Sequence, residues 1–487
     1  MSGEAAIGLT MLIVLIGAIF IGVPISFTLL FLALSFGYFG MGQIVFDLAY
    51  FQTLGMMKEE LLAAVPLFVL MGFVTEQAGL MERLFVAFRL LFAPVRGALF
   101  VVVILTAAVF AMATGIVGAA VTVLGIMASP IMVKTGYDGK LAAGAITAGG
   151  TLGILIPPSV MLIVMGPVLG VSVADLYAAA FGPGFMLAGI YIAYLLGRSF
   201  FNPRLGPPVP KEDRAPSVVK IVREVVIGVV PLLGLITATL GSILAGLATP
   251  TEASAVGALG AIFLSIAYRR FTYQGFKRAI LSTMATSSMV LFLAVTSNIF
   301  GAVFARLGTA NWITESLLAL QFAPTLMLVM VLVLIFLLGW PFEWPAIVLV
   351  FVPIFYPVVK EMGINLVWFG ALVAVTLQTA FLSPPVAMSA YYLKQVVKDW
   401  SLLTIYKGMF EFMILQVIAI ALLITFPAIA TWFPEHLNEL TRQQAIPEEH
   451  QRILEQQRER GTTGYGDSYG SRYEDQAERL EDEAEKK

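Results

Sequence analysis

The chain has 487 residues, 59% of them hydrophobic and 12% charged, with a mean hydropathy of +0.91; soluble domains run at roughly 45–50% apolar and 25% charged, so this is a polytopic membrane protein. A net charge of −2 with no basic face gives nucleic acid no footing. The absence of cysteine removes disulfides, Cys-ligated zinc, iron–sulfur clusters and thiol catalysis, and the only histidines, His436 and His450, lie beyond the last apolar segment, so no histidine metal site or base can stand within the membrane.

A transmembrane helix needs about 20 apolar residues. On that ruler the first half has spans near 5–21, 24–42, 61–80, 141–170 and 176–198. Glu4 is present and no Lys or Arg precedes Lys58, so the first is expected to be a retained span and not a cleaved signal. The second half has spans near 222–243, 249–268, 280–306, 366–394 and 403–432. Segments 98–133 and 325–359 are different, each a long apolar run interrupted near its middle, by Thr114-Gly115 and by Trp340-Pro341-Phe342-Glu343-Trp344. Each reads as two half-length helices that dip in and return to the same side; two ordinary tilted spans are the other reading. Spans 141–170 and 366–394 carry Pro157-Pro158 and Pro384-Pro385. Proline removes a backbone donor and clashes with the preceding turn, so both helices are expected to be broken there, at membrane depth. Paired broken helices are the pattern of a transporter binding site. The polar, Pro-rich stretch from Asn202 to Pro216 is a linker, and Pro434 to Lys487 is a charged, Gln-rich tail expected to be disordered or partly helical.

These breaks keep one register. Pro24 pairs with Pro250 at 226 positions, and Thr114 with Pro341 and Pro158 with Pro385 at 227. The chain therefore divides into a first repeat, 1–201, a cytoplasmic linker, 202–221, a second repeat, 222–433, and the tail, 434–487. With five full spans and one re-entrant hairpin per repeat the count is odd, so the second repeat must be inverted. With the N-terminus outside, 18 of the 29 Lys and Arg fall inside, three (Lys58, Arg306, Lys360) fall outside and eight are in the tail. That asymmetry obeys the positive-inside rule and favours two re-entrant hairpins.

A broken helix leaves carbonyls and N–H groups that hydrocarbon cannot satisfy, so a bound cation or anion can take their place. Thr114 and Gly115 at the first tip are expected to face Gly149 to Gly153; Gly339 to Glu343 at the second are expected to face Thr376, Gln378 and Thr379. Glycines and hydroxyls permit close approach and supply oxygens for a hard cation, although small residues also serve plain helix packing. Glu343 is costly in an apolar run and so should be functional or paired; an interfacial turn with Trp340 and Trp344 in an aromatic belt is its bland reading. Glu252 in Thr249-Pro250-Thr251-Glu252 reads foremost as a helix cap, and Asp175 as part of a helix start. No phosphate loop occurs, so ATP hydrolysis by this chain is not expected and an ion gradient is the expected source of energy.

At these residues the chain resembles the large membrane subunit, DctM type, of tripartite ATP-independent periplasmic (TRAP) transporters. The matching stretches are Gly136-Tyr137-Asp138, Ala148 through Ser159 with its Gly-Thr-Leu-Gly and Pro-Pro, Thr249 through Ala253, Trp368-Phe369-Gly370 and Leu377 through Pro385. The resemblance implies a non-enzymatic, all-α, inverted-repeat protein of elevator-type ion-transporter architecture, multi-pass in a bacterial inner membrane. It implies Na⁺-coupled uptake of an organic acid, a small four-span membrane subunit as partner, and a periplasmic binding protein that delivers the carboxylate. It places Na⁺ among Thr114, Gly115, Gly149, Thr151, Gly339, Glu343, Thr376 and Gln378, and substrate at Thr114, Glu343 and Gln378. The small subunit is expected to be a separate chain. Two departures stand out: the first tip lacks the usual Gly-Ser-rich run, and Ser383-Pro384-Pro385-Val386-Ala387 replaces Thr-Pro-Pro-Val-Gly. A stand-alone carboxylate symporter, an ion channel and a non-transporting assembly subunit are the alternatives.

Overall fold

A computed structural model describes residues 3–115, 117–208, 217–384 and 387–444. The first half runs α1 (Gly3–Phe20), α2 (Ile25–Met41), α3 (Ile44–Met57), α4 (Glu60–Gln77), α5 (Leu80–Phe92), α6 (Ala98–Thr114), α7 (Val117–Lys134), α8 (Gly139–Thr151), α9 (Val160–Leu169) and α10 (Val173–Phe201). The second runs α11 (Val218–Leu244), α12 (Pro250–Ala267), α13 (Tyr273–Arg306), α14 (Thr309–Leu318), α15 (Pro324–Leu338), α16 (Trp344–Glu361), α17 (Leu366–Ala380), α18 (Met388–Val396), α19 (Leu402–Thr425) and α20 (Ala428–Gln444). No strand occurs among the described residues, and nine of these helices are long and apolar enough to cross a membrane.

The predicted register recurs in the backbone. Helices α8 and α17 begin 227 positions apart (366 − 139), as do α7 and α16 (344 − 117). Asp138 caps α8 by accepting from the N–H of Leu141 at 2.8 Å, and Asn365, again 227 on (365 − 138), caps α17 by accepting from Val367 and Trp368. Left-handed backbone recurs likewise at Gly136 and Gly363. Packing follows suit: α2 lies on α13 while α4 lies on α12. The capping box at α12 is complete, with the Glu252 carboxylate accepting from the Thr249 N–H at 2.8 Å and the Thr249 hydroxyl accepting from the Glu252 N–H at 3.3 Å. Glu252 is therefore a cap.

Several expectations need correction. The hairpin arms are not half-length: α6 and α7 have 17 and 18 residues, about 26 Å each at 1.5 Å per residue. In α16 the helix widens to a π turn over Ile347–Phe351, immediately before Pro353, whose missing N–H and bulky ring disfavour a regular turn. The short helices α3, α5 and α14 escape a ruler of full spans. The charged Lys58-Glu59 divides α3 from α4, where the second half has one helix of 34 residues, α13. Span 403–432 ends at Thr425, before Pro427, and α20 then runs through the expected tail boundary at 434. The linker is tied down at its start: Gly97 donates to the Gly206 carbonyl at 2.9 Å and Asp138 to that of Leu205 at 3.0 Å. Glycines draw α8 and α19 together, Gly408 lying on the Lys140 carbonyl and Gly144 on the Phe412 ring.

Candidate functional site

Helix α8 loses its regular turns at Thr151, earlier than the prolines that end the break. A tighter turn carries Leu152–Ile154, then the chain extends through a cis Pro157-Pro158 bond to Ser159. The Ser159 hydroxyl donates to the Ile154 carbonyl at 2.7 Å, and Ile156 donates to Leu152 at 2.9 Å. Gly115, between α6 and α7, is left-handed at φ +61°, and a side chain there would come within 3.6 Å of the Pro158 carbonyl and 3.8 Å of that of Gly153. The first tip thus sits on the first break, as the sequence predicts. The side chain of Thr114 and all of Ile116 lie outside the described residues. Gly149 faces Ala107 and Ile104 on α6, and Gly150 lies against the α7 backbone at Val121; these glycines receive the hairpin's arms and not its tip.

The second tip also meets its break. The Trp340 indole N–H donates to the Ser383 hydroxyl at 2.8 Å, which donates on to the Ala380 carbonyl at 3.3 Å. Gly339 packs on Ala380. Pro385, like Val386, lies outside the described residues; Pro384 closes the described part of the break. Here one expectation fails. Leu377 and Ala380 of α17 and Phe381 after it line the cavity beside the tip, whereas Gln378 is turned toward Thr151. At about 100° per residue, Gln378 points away from Leu377's face. Ala387, where the resemblance has glycine, holds a left-handed φ of +39°, so Ala387→Gly is expected to raise stability by about 1 kcal/mol, read as a higher melting temperature.

Gln378 points instead to the other half. Its amide donates to the Thr151 hydroxyl at 3.0 Å, both residues are wholly buried, and they stand 227 positions apart. The two broken helices, α8 and α17, therefore meet at this bond. The Thr151 hydroxyl in turn donates a hydrogen bond to the Ala148 carbonyl at 2.8 Å. The Gln378 carbonyl oxygen and the Thr376 hydroxyl remain buried without a hydrogen-bond partner among the described residues. In a double-mutant cycle, Thr151→Val and Gln378→Leu are expected to couple by about 1 kcal/mol; additive losses would deny the contact an energetic role.

Glu343 caps the N-terminal end of α16 without a side-chain capping bond and opens into a cavity of about 490 Å³. Trp340, Phe342, Trp344 and Phe381 share that lining, and Glu343 is its one charged residue among the described residues. Gln378 is not part of that lining; its amide is bonded to Thr151.

The model of the family described as "Tripartite ATP-independent periplasmic transporter, DctM component" matches residues 12–429. The chain belongs to that family. It is 30% identical over 424 residues, 86% of this chain and 96% of the relative, to the sialic acid TRAP transporter large permease protein SiaM of Vibrio cholerae. It is 29% identical to the C4-dicarboxylate TRAP transporter large permease protein DctM of Rhodobacter capsulatus, covering 79% of this chain and 89% of that one. Among solved structures, the YdaH transporter of Alcanivorax borkumensis shares the fold, with a TM-score of 0.57 at 16% identity over 81% of this chain and 90% of that one. This TRAP large permease is thus a multi-pass membrane protein of a transporter family, related to permeases.

Two features of this DctM-family chain lie beyond the sequence reading. Tyr392 on α18 lies with its ring against Gly118 near the first tip and within electrostatic reach of Glu343 near the second. Glu411 of α19 pairs with Lys140 of α8, accepts from the Tyr194 hydroxyl and lies 3.4 Å from Arg198, both on α10. This cluster pins the start of the broken helix α8 to two neighbours. Its signal was a lone acid inside an apolar span, the same signal that marked Glu343.

Proposed function

We propose that this chain is the transporting subunit of a TRAP system: it carries an organic acid across the bacterial inner membrane, coupled to Na⁺, with a small four-span subunit and a periplasmic binding protein that delivers the cargo. The meeting of each hairpin tip with a broken helix carries this reading. Sodium is a hard cation that takes several neutral oxygens. Gly115 lies over the carbonyls of Gly153 and Pro158, while the Gln378 oxygen and the Thr376 hydroxyl are buried and unpaired. Neutral oxygens of both kinds fit Na⁺, Thr151 is bonded to Gln378, and Gly149 lies earlier in α8, against the hairpin's arm. Gly339 and Glu343 belong to the second tip, where Glu343 is open to ligand. Residues 1–201 and 222–433 act as inverted repeats, and the body bearing both breaks slides as an elevator against the remainder. Relatives named for sialic acid and for C4-dicarboxylates support an acidic cargo.

The test is uptake into proteoliposomes holding the chain and its small subunit, with binding protein outside. An inward Na⁺ gradient is expected to drive accumulation, and equal uptake with K⁺ would refute the coupling. Accumulation without binding protein would favour the stand-alone symporter.

A further inference from the structure

The cavity beside the second tip has a composition that the proposed transport does not by itself explain. Phe20, Trp340, Phe342, Trp344 and Phe381 line it, together with aliphatic groups and a single carboxylate, Glu343. No Lys or Arg is on its lining, and Glu343 has no ion pair or hydrogen bond among the described residues. Two of the rings are held in place: Trp340 by its bond to Ser383, and Phe342 by edge contact with Phe351 at 4.8 Å between centroids. An inorganic cation would have to draw on backbone carbonyls, because hard ions require several oxygens and Glu343 supplies the only side-chain oxygens of the lining among the described residues. A purely anionic cargo is worse served, since it would meet Glu343 with no cation nearby. Aromatic faces around one carboxylate suit a different guest. Ring quadrupoles attract a large, weakly hydrated cation such as a substituted ammonium, and a carboxylate completes its charge balance.

We infer that the Glu343 cavity binds a cationic nitrogen, so that the cargo is a zwitterion bearing a substituted ammonium beside its acid group. The inference rests on the transport reading for the role of the cavity, yet binding can be measured without transport. The volume of about 490 Å³ admits such a small molecule. The methylated nitrogen would sit against Trp344 and Trp340, facing Glu343.

The experiment is calorimetric titration of the full-length chain in lipid nanodiscs with glycine betaine, its carbon isostere 3,3-dimethylbutyrate, and succinate. Betaine is expected to bind about tenfold tighter than the isostere, or better, because the two differ in the charge that the rings and Glu343 recognise. Glu343→Gln is expected to remove that preference while the protein stays folded, since Glu343 holds no structural bond. Trp344→Leu is expected to weaken betaine and leave the isostere unchanged. Equal binding of betaine and isostere, tighter binding of succinate, or a betaine preference that survives Glu343→Gln would overturn the assignment. Failure of Na⁺-driven uptake would count against the transport reading alone, because the titration needs no gradient.

Discussion

Gly150→Val is expected to abolish uptake and to lower the melting temperature of the purified protein sharply. A side chain at Gly150 would meet the Val121 backbone, at 3.0 Å from its N and 3.2 Å from its Cα, as well as the Val121 side chain. Backbone cannot rotate aside as a side chain can, so α7 must move as a whole. Helix propensity works in the opposite direction: removing a glycine from a helix interior gains up to about 1 kcal/mol, and Gly150, next to the end of α8, gains less. Overpacking a tight core costs about 1–3 kcal/mol and more where backbone is displaced, so the clash decides the sign. The displaced arm also carries the first tip, which ties stability to transport. Gly189→Ala is the control, because nothing lies within 4 Å of a side chain there; it should melt at or slightly above the parent. A Gly150→Val protein with parental melting and uptake would remove the close contact from the account.

Glu343→Gln should lower the rate of Na⁺-driven uptake about tenfold or more, the factor that corresponds to roughly 1.4 kcal/mol. A carboxylate among aromatic and aliphatic side chains, without ion pair or capping bond, is kept for a ligand and not for the fold. Glutamine preserves its shape and removes its charge, so the fold should survive and the melting temperature should barely move. Initial uptake rates of parent and variant under the same gradient give the comparison. Parental rate with parental Na⁺ dependence would show that Glu343 has no part in transport.

Much of this architecture is written in residues with strong backbone preferences. Pro157, Pro158 and Pro384 mark interrupted helices, Gly115 marks a turn, and long apolar runs mark spans, so breaks, tips and their common register could be read directly. Three aspects could not. The face of α17 that Gln378 occupies depends on helical phase after tertiary packing, and a difference of one residue, from Leu377 to Gln378, turns it from the tip cavity toward Thr151. Helices α3, α5 and α14 have 14, 13 and 10 residues, too short for a ruler of full spans, and α5 is amphipathic, with Arg83 and Arg89. The partners of Glu411 come from α8 and α10, more than 200 positions away, a proximity that no local pattern encodes. The Thr151–Gln378 contact joins the readable and unreadable parts: its separation equals the predicted register, while the bond itself became evident only in three dimensions.

The central claim is that two half-sites, one at each broken helix, bind Na⁺ together to drive one transport event. Initial uptake rate against external Na⁺, measured in proteoliposomes with substrate and binding protein saturating, tests it most directly. Two cooperating ion sites predict a sigmoidal dependence with a Hill coefficient above about 1. A hyperbolic curve, or a rate indifferent to Na⁺, would contradict it.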